Sequence, residues 1–159
     1  LWKGSNEVRQ RAEASYQLRA AIDGLGSDLV YKRHLGQARY QFDQGRSTAI
    51  ASLSLGYITG DAPLFERFSL GNSTTLRGWD KYDIAPLGGE RMFHSTVEYR
   101  FYNVGMFFDT GSVWDRNSDS KLRYSTGFGV HTDNFFLTLG FPLNNNHDSG
   151  PIFMAGVRF

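Results

Sequence analysis

From about Ser15 onward, apolar and polar residues alternate with a period of two in one segment after another. Successive side chains of a strand point to opposite faces, so this alternation predicts strands with one apolar side. The first segment sets Tyr16, Leu18, Ala20 and Ile22 against Ser15, Gln17, Arg19 and Ala21. The second runs from about Leu29 to Asp43 and is clearest where Ala38, Tyr40 and Phe42 oppose Gln37, Arg39, Gln41 and Asp43. In the third, Ala49, Ala51, Leu53, Leu55 and Tyr57 oppose Thr48, Ser52, Ser54 and Gly56. An irregular stretch rich in Gly, Ser, Thr, Asn and Pro then covers residues 60–89. The fourth segment sets Phe93, Val97, Tyr99 and Phe101 against His94, Thr96, Glu98 and Arg100, and the fifth covers about Val104 to Trp114. In the sixth, Leu122, Tyr124, Thr126, Phe128 and Val130 oppose Lys121, Arg123, Ser125, Gly127, Gly129 and His131. The seventh places Phe135, Leu137, Leu139, Phe141 and Leu143 on one side. The eighth places Phe153, Ala155, Val157 and Phe159 against Gly156 and Arg158, with Ile152 and Met154 as apolar exceptions.

The expected fold is therefore all-β and antiparallel. About eight strands of about 9–13 residues each match a membrane-spanning strand, which needs about 9–11 residues when tilted, better than a soluble strand of about 5–6. Connections near Gln44, Asn103 and Asp133 are short, and those near Leu25, Asn72, Asn117 and Asn145 are longer. Alternating short and long connections suit a transmembrane β-barrel with periplasmic turns and extracellular loops. If the first connection is extracellular, so is residues 60–89, and the C-terminus is periplasmic. The expected organisation is a polar lead-in over residues 1–14 and a transmembrane β-barrel segment over residues 15–159. A soluble eight-stranded barrel with its apolar face inward is the alternative that periodicity alone leaves open.

Composition sharpens this picture. Phe, Tyr and Trp make up 15% of the chain, and 18 Gly stand beside only 4 Pro, a mix suited to strands joined by tight turns. A net charge of +1 gives no argument for nucleic acid. There is no Cys, so disulfides and thiolate metal sites are excluded. No apolar run of about 18 residues exists, which excludes a transmembrane helix but not a barrel. Leu1 opens neither a signal peptide nor an initiator Met, so the expectation is a mature chain or a segment of a longer one.

The long irregular stretch is the candidate functional element, because a loop of that length inside a compact domain is uncommon and usually functional. It carries Leu76-Arg77-Gly78-Trp79. Arg pairs bidentately with carboxylates, and Glu98 and Asp109 lie on the charged faces of the strands that follow. Gly105 and Gly111 flank Asp109 on its own face and leave room there for a loop tip. From the residues alone, Arg77 is either a docked cation or a solvated loop charge. No catalytic or metal constellation stands out: His34, His94, His131 and His147 are scattered without ligand spacing, and Gly127-Phe128-Gly129 lies inside a strand pattern.

Several motifs occur together and in order. They are Phe68-x-x-Gly71, Leu76-Arg77-Gly78-Trp79, Ser95-Thr96-Val97-Glu98-Tyr99-Arg100, Phe108-Asp109-Thr110-Gly111, Gly127-Phe128-Gly129, Phe141-Pro142-Leu143 and the terminal Gly156-Val157-Arg158-Phe159. Together they resemble the C-terminal barrel portion of the bacterial surface antigen superfamily, which includes the outer-membrane assembly factors BamA and TamA and the two-partner-secretion transporters. The resemblance implies the last eight strands of a 16-strand outer-membrane barrel and a long loop folded back into the lumen. It also implies an arginine at the loop tip that meets acidic residues of the inner wall, at positions matching Arg77, Glu98 and Asp109. Trp79 stands where the family has Phe or Tyr, and Gly71-Asn72 where it often has a glycine pair. Phe153, Val157 and Phe159 look like a C-terminal signal for barrel assembly, a role compatible with an ordinary amphipathic last strand.

An eight-stranded barrel is filled by its own side chains and has no space for Trp79. Either the loop stays outside, or the barrel is widened by the rest of a longer chain or by a second copy of this one. By resemblance, the expected function is insertion of outer-membrane proteins or translocation of polypeptides. The partners would be outer-membrane lipid and unfolded outer-membrane or secreted polypeptides, with no cofactor and no enzymatic activity. The alternative is a passive pore, or a membrane anchor displaying another domain.

Overall fold

The computed structural model describes residues 7–22, 29–132, 134–144 and 150–157. Eight strands form one antiparallel sheet in sequence order: β1 (Val8–Ala21), β2 (Tyr31–Gln44), β3 (Ser47–Gly60), β4 (Arg91–Phe101), β5 (Val104–Trp114), β6 (Arg123–His131), β7 (Phe135–Pro142) and β8 (Ile152–Val157). Every strand pairs with its sequence neighbour, and among the described residues no ladder joins β1 to β8. The long connection between β3 and β4 contains a 3-10 turn (Leu64–Glu66) and a single helical turn α1 (Lys81–Ile84), which Asp80 caps by accepting the Tyr82 N–H at 2.8 Å. No helix of the described residues is long and apolar enough to cross a membrane.

Register puts the two faces where the alternation predicts them. Ala14, Ala38, Leu53, Ser95 and Thr110 stand in one row across β1–β5. Tyr16, Leu55, Val97, Met106, Phe128 and Phe153 point the same way and are exposed. The other face carries the loop, and the buried core lies between the two. Phe68, Leu70, Leu76 and Trp79 of the loop pack against Ile58, Met92 and Val113 of the sheet. Hence some inward positions are apolar where strict alternation calls for polar residues: they are wetted by no lumen, because the loop covers them.

One boundary differs from expectation. The proposed polar lead-in of residues 1–14 gives way to strand at Val8, with Val8↔Gln44 and Ala14↔Ala38 in unbroken register. Arg9, Arg11 and Glu13 continue the polar face, while the small Ala12 and Ala14 give the other face too little apolar contrast to be noticed. The irregular segment, expected over residues 60–89, runs between Gly60 and Arg91, and its end is pinned by a bridge between Phe68 and Gly89.

Among the described residues the sheet is open, and one of its faces is occupied by the loop. A closed eight-stranded barrel leaves no space for such an insert.

Candidate functional site

The site is the loop tip and the wall beneath it. Leu76 adopts φ 47 and Gly78 φ 92, and the Trp79 N–H donates to the Leu76 carbonyl at 3.3 Å. This tight turn has Gly78 at the third position, where a type II turn requires positive φ. A left-handed Leu costs about 1–2 kcal/mol. Its complete burial, and the hydrogen bond from its N–H to His94 Nε2 at 3.1 Å, offset that cost. Since a backbone N–H can only donate, His94 Nε2 accepts, and the neutral ring carries its proton on Nδ1.

Arg77 is held on four sides. Its Nε and Nη2 donate to the two oxygens of Asp109 at 2.9 Å each, a bidentate fork, and its Nη1 donates to Glu98 at 2.9 Å. Its backbone N–H also donates to Asp109 at 2.9 Å. The Phe107 ring lies under the guanidinium, 3.6 Å from its carbon to the ring centroid. Thr96 Oγ1 donates the fourth hydrogen bond that Asp109 accepts, at 2.9 Å, and Arg100 pairs with the second oxygen of Glu98. Arg77, Glu98 and Asp109 are 8%, 6% and 0% exposed. Two guanidinium groups face two carboxylates, so the cluster is neutral, and both Asp109 oxygens are fully used. A buried ion group is tolerable only when its hydrogen bonds are satisfied in this way. Burial works against the charge on Arg77, but the hydrogen bonds and charge of Asp109, and then those of Glu98, outweigh it and raise the guanidinium's hold on its proton above the ordinary value.

Glycines make the approach possible. A Cβ on Gly140 of β7 would lie 2.7 Å from the Gly78 nitrogen, so loop and wall meet backbone to backbone. A Cβ on Gly111 would meet Leu70 at 2.8 Å, and one on Gly56 would meet the Phe68 ring at 2.5 Å. Trp79 lies alongside β6, where its Nε1–H donates to the Tyr124 carbonyl at 2.9 Å. Further along the loop, Asn72 Oδ1 accepts the N–H groups of Thr74 and Thr75 at 2.9 and 2.8 Å. Asn72 thus folds the turn with its side chain, and only Gly71 (φ 94), whose Cβ would lie 2.7 Å from the Lys81 nitrogen, needs to be glycine.

Residues 9–152 match the Omp85 superfamily domain. The chain belongs to the Omp85 superfamily. Its strands are therefore those of a membrane barrel, and membership carries the reading that this segment is not an enzyme. The chain is also similar to the "Outer membrane protein assembly factor BamA" of Nitratidesulfovibrio vulgaris (strain Hildenborough). The two are 32% identical over 127 aligned positions, which cover 65% of this chain and 16% of that protein. The chain thus spans about one sixth of the length of that relative. The superfamily is concerned generally with protein assembly and translocation at the bacterial outer membrane.

Within this Omp85 segment, the structure brings Leu76, Arg77, Gly78 and Trp79 onto the wall and Arg77 onto Glu98 and Asp109. Phe153 and Val157 stand apart from that cluster, exposed on the opposite face of β8. Phe159 lies outside the described residues. Sequence reasoning did not single out His94, Thr96, Phe107 or Arg100 as partners of the tip. Their spacing on alternate positions of β4 and β5, the same positions that carry Glu98 and Asp109, was the available signal. The Tyr124 carbonyl is a backbone group and left none. Among the described residues no cluster of His, Cys, Asp and Glu could hold a metal ion.

Proposed function

We propose that this Omp85 barrel segment takes part in inserting outer-membrane proteins or in passing polypeptides across the outer membrane, with its C-terminus periplasmic and the β3–β4 loop entering from the extracellular side. The observation that carries the reading is the neutral Arg77–Glu98–Asp109 cluster, which ties a long loop to the inner wall through three guanidinium hydrogen bonds. A passive pore gains nothing from filling its own lumen with a loop. A machine that handles chains while keeping the membrane sealed does. The named activity of the BamA relative and the alternation of short and long connections support the same assignment and orientation. Phe153, Val157 and Phe159 would serve as the assembly signal, their apolar side facing lipid. Unfolded outer-membrane or secreted polypeptides would be the clients, and the remainder of a longer chain, or a second copy, would complete the barrel.

The test is the folding rate of an unfolded client barrel into liposomes that contain the full-length protein. Faster folding than with empty liposomes is expected, and Arg77→Ala should remove most of the acceleration. Equal rates with and without the protein would leave the anchor or passive-pore reading in its place.

A further inference from the structure

The lipid-facing side of β1–β4 is not uniformly bulky. Ala12 and Ala14 of β1, Ala38 of β2 and Ala51 of β3 are adjacent in register, and with Tyr40 and Leu53 they line a depression of about 540 Å³. Around it the same face carries the exposed Tyr16, Leu55, Val97 and Tyr99. Apart from Ser95, the side chains of this face that line it are Ala, Leu and Tyr, so in a membrane the depression is open to hydrocarbon.

Toward the long-loop end this face changes character. Tyr16 shares a hydrogen bond of 2.5 Å with His34 Nδ1, and His34 stacks on Tyr57 with ring centroids 4.2 Å apart. Polar aromatic groups of this kind sit where a barrel crosses from hydrocarbon to headgroups. Two cations lie at this border on the same face: Lys32, one step beyond His34 and opposite Thr59, and Arg91, opposite Tyr57. Both are exposed. Ala38 lies six residues along β2 from Lys32, about 20 Å of strand. A strand tilt of about 45° reduces this to about 14 Å of depth, close to one leaflet's share of a hydrocarbon core about 30 Å thick. The depression therefore sits one acyl-chain depth below the cations.

We propose that this face binds an anionic lipid of the leaflet on the long-loop side. Its phosphate meets Lys32 and Arg91, and the end of an acyl chain fills the alanine depression. Apolar walls at mid-membrane and positive charge at the headgroup level fit the two ends of one lipid molecule. A protein partner seated here would meet the same cations but would have no reason to need a lipid-length separation between them and the depression.

The full-length protein, purified in detergent, is mixed with phosphatidylglycerol or phosphatidylcholine, and retained lipid is counted by native mass spectrometry. Phosphatidylglycerol is expected to be retained preferentially, with each cation contributing roughly five-fold in affinity. Lys32→Gln with Arg91→Gln should abolish the preference and leave the protein able to hold either lipid weakly. Ala38→Phe, which fills the depression, should lower retention of both lipids with the rim intact. Should that variant fail to fold, Ala51→Leu is read in its place. Equal retention of the two lipids by the wild type overturns the proposal. So does a preference that survives loss of both cations, or unchanged retention when the depression is filled.

Discussion

Arg77 and Arg19 lie on the same face of the sheet, and each meets a carboxylate, but the two pairs are built differently. Arg77 reaches Glu98 and Asp109 at 2.9 Å with side chains 9%, 7% and 0% exposed. Arg19 reaches Glu66 at 3.4 Å with its own side chain 53% exposed, and Arg9 and Glu7, at 3.3 Å, are 78% and 70% exposed. The first group has neighbours on every side: a ring beneath it, a hydroxyl beside it and a second arginine that balances the charge. The second lies along β1, an edge of the sheet. Formal ion pairing is common to both. Desolvation of the cation and the four hydrogen bonds that Asp109 accepts separate them.

The strongest way to break this contrast is to unbalance the buried group. Asp109→Ala leaves the Arg77 guanidinium and backbone N–H without their main acceptor and should cost about 3–5 kcal/mol. The readout is the urea midpoint of the full-length protein in detergent, with Arg77→Ala falling in the same range because it leaves the buried Asp109 without its cation. An unchanged midpoint for either would mean that the loop is not held by its charges. Next in size is Gly140→Ala. The new Cβ would press on the Gly78 backbone, and overpacking of this kind costs about 1–3 kcal/mol. Protease cleavage within residues 61–90 should rise. Trp79→Phe keeps the packing and removes one hydrogen bond to the Tyr124 carbonyl, a loss of about 1 kcal/mol that should appear as a small shift of the midpoint. Smallest is Arg19→Gln, worth under about 1 kcal/mol because the Arg19 side chain is half exposed and Arg33 still pairs with Glu66. A loss there as large as that of Asp109→Ala would erase the distinction between the two groups.

Much of the sheet could be read from the chain because period-two alternation survives wherever one side meets lipid. It failed at Val8–Ala14, where alanines on the lipid side look neither apolar nor polar, and at Ile58, Met92 and Val113, where the loop rather than water covers the inner face. The candidate site was legible in unequal parts. Arg77, Glu98 and Asp109 stood out as charges among alternating or glycine-rich positions. Their mutual distances depend on register across β4 and β5 and on the path of a loop, neither of which local pattern encodes. The close approach of Gly78 to Gly140 joins residues far apart in the sequence, and the hydrogen bond from Trp79 ends on a carbonyl that every residue possesses.

The tip of the β3–β4 loop is held by four strands that follow it in the sequence, through Glu98 on β4, Asp109 on β5, the Tyr124 carbonyl on β6 and Gly140 on β7. It seats only where all four stand in register, because a slip of one residue in any of them turns its contact to the wrong side. Seating of the tip is thus a checkpoint on β4 to β7, passed only when those strands have paired correctly.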